Sequence, residues 1–229
     1  MVQHDGRDAG SVVDAEGLAK TYKRGTELVQ ALRDATLGLD RGEIVALVGP
    51  SGSGKTTLLN ILCGWERADE GTVRWRGAPQ DNMARLPWDE MAIVPQRLGL
   101  IEELSVAENI ELPERLSTGV GDKPSDRVSH LLERLGLDQL SRRLPGETSL
   151  GEQQRTSLAR ALVLSPRLLL ADEPAGHQDG EWARSIFGVM QEEAKQGTTC
   201  LVATHNKETI KFCDRSLEIE DGRVHSRPH

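Results

Sequence analysis

Rings are scarce in this chain: four Trp, one Tyr and two Phe among 229 residues. So few platforms for stacking bases argue against a single-strand nucleic-acid binder. Basic residues are outnumbered too, 28 against 36 acidic, for a formal charge of −8. That deficit argues against a protein that grips DNA or RNA by bulk charge. Only three cysteines occur, Cys63, Cys200 and Cys213, widely spaced and without a CxxC pair. They predict buried thiols in a reduced compartment rather than a disulfide framework. Unbroken apolar runs such as Ile44–Val48 fall far short of the roughly 18–20 residues that a membrane span needs. Residues 1–10 are polar and offer no signal-peptide core. The expectation is a cytoplasmic chain with no span of its own.

What is present reads as alternating β and α signals. Val12, Val13 and Leu18 suggest one short strand, and Leu37 with Leu39 another. Ile44–Val48 is continuously apolar and runs into Gly-Pro-Ser-Gly, the pattern of a strand buried on both faces that ends in a turn. Lys55–Leu62 has helical periodicity with Gly64 as its stop. Val73 and Trp75 alternate with Arg74 and Arg76 as in a half-buried strand, and Met91–Val94 is a further short run. The middle third is helical. Ser105 and Glu108 have capping-box spacing, 125–135 is amphipathic up to Gly136, and 152–164 runs toward Pro166, with 117–125 read as loop. Strand signals return at 168–171, 199–203 and 216–219 around a helix at 180–195. The organisation predicted is a polar tail over 1–11 and a single α/β domain over 12–229, with a helical lobe inserted at about 97–165.

The segment Gly49, Pro50, Ser51, Gly52, Ser53, Gly54, Lys55, Thr56 matches G-x-x-x-x-G-K-[ST], with Thr57 next in line. Glycines let successive backbone N–H groups turn inward around phosphate oxygens, and the helix that begins here adds its positive end. Lys55 is expected at the β- and γ-phosphates, and the Thr56 hydroxyl at Mg²⁺. A leading apolar strand and a following helix make a chance match improbable. A second motif, Leu168-Leu169-Leu170-Ala171-Asp172-Glu173, ends an apolar strand in two carboxylates. Asp172 is placed to hold Mg²⁺, and Glu173 to act as general base on an attacking water.

In this order the motifs resemble the nucleotide-binding subunit of ABC (ATP-binding cassette) transporters, from about Val12 to Val224. The strings Leu104-Ser105-Val106-Ala107-Glu108-Asn109, Glu152-Gln153-Gln154-Arg155 and Ala171-Asp172-Glu173-Pro174 are most similar to the macrolide-export, lipoprotein-releasing and cell-division branch. The resemblance implies a P-loop NTPase core with an antiparallel β portion and an inserted α-helical lobe. It implies ATP and Mg²⁺ as ligands, a second ATPase subunit in a homo- or heterodimer, and a separate integral membrane permease. It also implies a location on the inner face of the membrane. By position, Tyr22 resembles the aromatic that stacks on adenine. Gln96 resembles the glutamine that senses Mg²⁺ and the attacking water, and His205 the switch histidine at the γ-phosphate.

Two segments depart from the family pattern. Its L-S-G-G-E/Q signature stands here as Thr148-Ser149-Leu150-Gly151-Glu152, so Ser149, Gly151 and Glu152 remain while Leu150 replaces a glycine. In the family this segment opens a helix that caps the γ-phosphate held by the opposite subunit. Leu150 is expected to add a side chain and to narrow the backbone's freedom where it nears phosphate. After Glu173, Gly176 and Asp179 are kept within an altered stretch. The elements serving the chain's own nucleotide are therefore intact, and those serving the partner's are changed. The function expected is an ATP-hydrolysing motor that drives export of a hydrophobic or amphiphilic substrate. Mechanotransmission without transport is the alternative, and a soluble role in translation or DNA repair is disfavoured.

Overall fold

The computed structural model describes residues 10–80, 82–118, 125–176 and 180–226. Two long strands open it, β1 (Ser11–Arg24) and β2 (Glu27–Asp40), paired antiparallel. They run well beyond the short strands that the apolar positions suggest. Polar residues extend the ladder, and bulges near Gly17 and Asp34, both at positive φ, absorb the irregular register. With β4 (Glu70–Trp75) and β5 (Ala78–Pro79) they form a four-stranded sheet in the order β2-β1-β4-β5.

The second sheet carries the site. It comprises β3 (Ile44–Val48), β6 (Met91–Val94), β7 (Leu168–Asp172), β8 (Thr199–Thr204), β9 (Arg215–Glu220) and β10 (Arg223–Ser226), in the order β10-β9-β3-β8-β7-β6. All neighbours are parallel except β10 against β9. Residues of β3, β7 and β8 are buried throughout, which explains why these strands read as continuous apolar runs rather than alternating ones. The two-residue pleat divides their side chains between two cores. Val45, Leu47, Leu168, Leu170, Leu201 and Ala203 face the antiparallel sheet and α1 (Lys55–Leu62). Ile44, Leu169, Ala171, Cys200 and Val202 face the helices on the other side.

Between β6 and β7, which pair directly, the chain inserts α2 (Val106–Thr118), α3 (Asp126–Arg134) and α4 (Leu150–Leu162). The capping box at Ser105 and Glu108 forms, with each residue's side chain bonded to the other's backbone N–H. The loop expected at 117–125 starts later, since α2 continues through Thr118; 119–124 lie outside the described residues. Helix α3 starts from a Ser125 cap and is stopped past its Leu135 cap by Gly136, at φ 62°. A Cβ on Gly136 would come within 2.2 Å of the Trp182 ring. Helix α4 begins at Leu150, two residues before the expected start, because the Ser149 cap already closes its first turn. Ion pairs Arg127–Glu193 and Arg134–Glu192 tie α3 to α5 (Gly180–Gln196). Cys63 and Cys200 are buried as expected, whereas Cys213 is partly exposed.

Candidate functional site

Strands β3, β8, β7 and β6 are adjacent and parallel, so their C-terminal ends open along one edge. Val48 lies opposite Thr204, Ala203 opposite Asp172, and Ala171 opposite Val94. The segments leaving those strand ends converge, and the carboxyl edge of a parallel sheet is where open α/β folds bind ligands. Those segments bring the glycine loop, Asp172-Glu173, His205 and Gln96 together. They line a cleft of about 940 Å³ with Tyr22, Ser51, Gly52, Gly54, Lys55, Thr56 and Thr57.

The loop is built for an anion. Gly52 and Gly54 hold φ 79° and 108°, open to glycine at little cost. A Cβ on Gly54 would strike the Ala31 carbonyl at 2.5 Å and one on Gly49 the Ile219 carbonyl at 2.3 Å, whereas one on Gly52 would meet nothing within 4 Å. No side chain caps the N-terminus of α1, so its first N–H groups are left for a ligand. The buried Ser53 hydroxyl has no hydrogen-bond partner among the described residues. Lys55 is buried, and its ammonium donates to the carbonyls of Gly49 (2.8 Å) and Pro50 (2.9 Å), which holds the charge beside the loop.

Thr56 Oγ1 donates to Asp172 Oδ2 at 2.7 Å, putting a hydroxyl and a carboxylate at the loop's end. Burial raises the Asp172 carboxyl above its ordinary range; the Thr56 bond opposes this, the Glu173 charge adds to it and Lys55 opposes it. Two hard oxygen donors suit Mg²⁺, which binds few protein ligands and completes its shell with phosphate and water. Among the described residues no group of three or more His, Cys, Asp or Glu stands ready for a metal. A cation here would therefore be shared with a bound nucleotide.

Glu173 comes next, in left-handed backbone with φ 52°, a strain of about 1–2 kcal/mol for a residue other than glycine. Its carboxylate accepts from Thr204 Oγ1 (2.9 Å) and the His205 N–H (2.9 Å), and its Oε1 is 2.6 Å from His205 Nδ1. An ionised carboxylate only accepts, so Nδ1 carries the proton in that contact. The imidazole is otherwise open, its side chain 70% exposed. Gln96, exposed, stands on the far wall. The loop after it is pinned to α4, since Arg160 donates to the carbonyls of Leu98 and Gly99, each at 2.8 Å.

Tyr22 lies at the other end of the cleft, its hydroxyl bonded to Glu66 and 3.5 Å from Thr57 Oγ1. The hairpin residues Arg24, Val29, Gln30 and Ala31 complete that end. The sequence gives no local signal for them. Only β-pairing across the turn brings them to the cleft.

Ser149, Gly151 and Glu152 are not among the cleft's walls, although Leu150 and Gln154 are. Ser149 caps α4, its Oγ accepting from the Glu152 N–H (3.3 Å) while Glu152 Oε2 accepts from the Ser149 N–H (2.7 Å). That backbone bond holds the Glu152 carboxyl below its ordinary range. The backbone constraint expected of Leu150 does not arise. It is the first residue of a right-handed helix and not at positive φ, so the replacement acts through a side chain that is 50% exposed. His177, Gln178 and Asp179 lie outside the described residues, while Gly176 donates its N–H to the Glu173 carbonyl at 3.0 Å.

Comparison with known proteins agrees with this geometry. The family model described as ABC transporter matches residues 32–176. The lipoprotein-releasing system ATP-binding protein LolD 1 of Rhodospirillum rubrum is 38% identical over 90% of this chain and 94% of its own length. The macrolide export ATP-binding/permease protein MacB 1 of Yersinia pestis bv. Antiqua is 35% identical over 93% of this chain, which spans 34% of that protein. Among solved structures, the dimeric bacterial ABC transporter cassette MJ0796 superposes with a TM-score of 0.83 at 30% identity, covering 95% of this chain and all of that one. The same cassette is known in a post-hydrolysis state bound to ADP and Pi, again at a TM-score of 0.83. Fold, cleft and likeness over nearly the full length agree, and the chain belongs to the ABC transporter family as an ATP-binding cassette.

Proposed function

We propose that this chain is the ATP-hydrolysing subunit of a membrane complex. It closes as a dimer over two Mg-ATP and drives a separate permease that moves a hydrophobic or amphiphilic substrate. The observation that carries this reading is the convergence of Lys55, Thr56, Gln96, Asp172, Glu173 and His205 on one cleft beside an anion-binding loop.

In this reading Tyr22 stacks on the adenine, and the amides of residues 49–57 cradle the phosphates. Lys55 turns from its loop carbonyls to the β- and γ-phosphates. Thr56, Asp172 and Gln96 would hold an Mg²⁺, which would supply neutralisation of phosphate charge. Glu173 takes a proton from water as its oxygen attacks the γ-phosphorus, and the bond to the ADP oxygen breaks. His205, tied to Glu173 through Nδ1, steadies the carboxylate and faces the γ-phosphate. Ser149 and Gly151 cap the partner's nucleotide from the start of α4.

Among the described residues no helix is long and apolar enough to cross a membrane. The permease contact is assigned to an apolar groove of about 370 Å³ lined by Trp65, Trp88, Ile101, Leu112 and Pro113, with Arg160 and Gly99 in its wall. Trp65 and Trp88 are 57% and 46% exposed, a pairing of large rings and water that marks interaction surfaces. Through Arg160 and the loop it pins, the groove adjoins Gln96, a physical link between the permease and the γ-phosphate. The lipoprotein-releasing and macrolide-export relatives support an amphiphilic substrate.

The test is to purify the tagged chain from its native membranes in mild detergent and identify what accompanies it, with stoichiometry. A membrane subunit that extrudes an amphiphile is the expected result. A membrane enzyme or sensor without a conduit would replace export by mechanotransmission, and ribosomes or DNA without a membrane protein would overturn the reading.

A further inference from the structure

The peptide units around Glu173 are held by two kinds of group. From the nucleotide core, the Ala203 carbonyl accepts the Glu173 N–H at 2.9 Å, and Gly176 N–H donates to the Glu173 carbonyl. From the helical insertion comes a third: Gln154 Nε2 donates to the same carbonyl at 2.6 Å. A carbonyl only accepts, so the amide nitrogen must face it. Gln154 is 5% exposed, on α4, five residues after the Ser149 cap. Its neighbour Arg155 is buried and lies 3.9 Å over the Trp182 ring, which keys this part of α4 to the start of α5.

These contacts make α4 a rigid lever with one end at each task. Its N-terminus presents Ser149 and Gly151, and its second turn grips the backbone of a residue in left-handed conformation whose carboxylate position is set by that backbone. We propose that Gln154 is a positioning residue for hydrolysis. It carries the placement of α4 to the Glu173 carboxylate, so that water is activated only when the helix is seated. The inference rests on the ATPase reading above and deepens it. With Ser149 capping the partner's nucleotide, the Gln154 bond makes occupancy of one site set the geometry of the base in the other.

The test measures steady-state ATP hydrolysis, KM and thermal midpoint for the full chain carrying Gln154→Met, Gln154→Glu or Glu173→Gln. Gln154→Met keeps the length of the side chain and removes the donor. Its kcat is expected to fall about ten- to hundredfold, as for a misplacement of about an ångström, with KM and midpoint near wild type. In Gln154→Glu an ionised carboxylate faces the carbonyl and cannot donate, while its protonated form can. Burial raises that carboxyl's pKa. The ratio of its kcat to wild type should therefore climb as pH falls from about 8 to about 6, and that of Gln154→Met should not. An unchanged kcat in Gln154→Met, a joint fall of kcat, KM and midpoint, or the same flat pH ratio in both variants would overturn the inference. Glu173→Gln separates the two levels. If it hydrolyses ATP as wild type does, the ATPase assignment itself fails, and the Gln154 role with it.

Discussion

Glu173 spends conformational energy to sit where it does. Its φ of 52° turns the side chain back toward Thr204 and His205, which together supply three contacts to one carboxylate. That is preorganisation: the strain is met by folding, not at the moment of reaction. Glu173→Gln keeps the shape and removes the proton acceptor. It should abolish turnover while leaving ATP bound, trapping an ATP-filled dimer that size-exclusion chromatography detects. Asp172 next to it illustrates the other cost. Its carboxyl is raised by burial above the ordinary aspartate value of 3.8. A raised carboxyl contributes stability below that ordinary value and loses it as pH climbs through the folded-state value. The ionised Asp172 present above that window therefore burdens the nucleotide-free fold. Asp172→Asn, which still accepts from Thr56, should raise the melting temperature of the free protein at neutral pH. The gain should shrink as pH falls and vanish below 3.8, while Mg-dependent nucleotide binding is lost. Calorimetry across that pH range checks the sign.

At the scale of elements, the start of α4 carries one of the two departures from the family pattern read in the sequence. Leu150 occupies the first helical position without backbone strain, so its effect on a closing partner is steric: an exposed isobutyl group where the family has none. Leu150→Gly should raise ATP turnover in the dimer, at about 0.5–1 kcal/mol of helix stability, measured by paired ATPase and urea-unfolding assays. Unchanged turnover would show that the side chain is accommodated. The turn after α3 makes a sharper demand. Gly136 is at φ 62° and directly under the Trp182 ring. Gly136→Ala combines left-handed strain with a clash at an indole stacked on Arg155. It should cost about 1–3 kcal/mol, read as a lower urea midpoint with an altered tryptophan emission.

Taken whole, the molecule is a double-faced parallel sheet whose carboxyl edge holds the cleft and whose helical insertion carries both α4 and one wall of the apolar groove. The same insertion therefore touches the cleft beside Glu173, through Gln154 and the Gln96 loop, and the surface proposed above for the permease. Truncating Trp88 or Ile101 to alanine should cost about 2 kcal/mol each of permease binding, if they behave as interface anchors do. The stoichiometry of co-purified membrane subunit is the measurement.

Much of this was legible in the sequence, because it depends on near neighbours. The apolar run into a glycine loop, the helix after it, the Ser105 capping box and the acidic end of β7 are all local, each decided within a turn or a strand's length by sterics and hydrogen bonding. The polar extensions of β1 and β2 were not legible, since strand pairing there owes little to hydrophobic alternation. Roles for Tyr22, Gln96 and His205 came only from the likeness of the whole motif order, as a lone residue of each type has no local signature. Tertiary structure alone decided who meets whom: Thr56 with Asp172 across 116 residues, Tyr22 with Glu66 across 44, Gln154 with Glu173 across 19. Periodicity tells which face of an element is buried but not which element covers it. Those partners are set by strand order and by the packing of the inserted helices, and these emerge only when the whole chain closes its two cores at once.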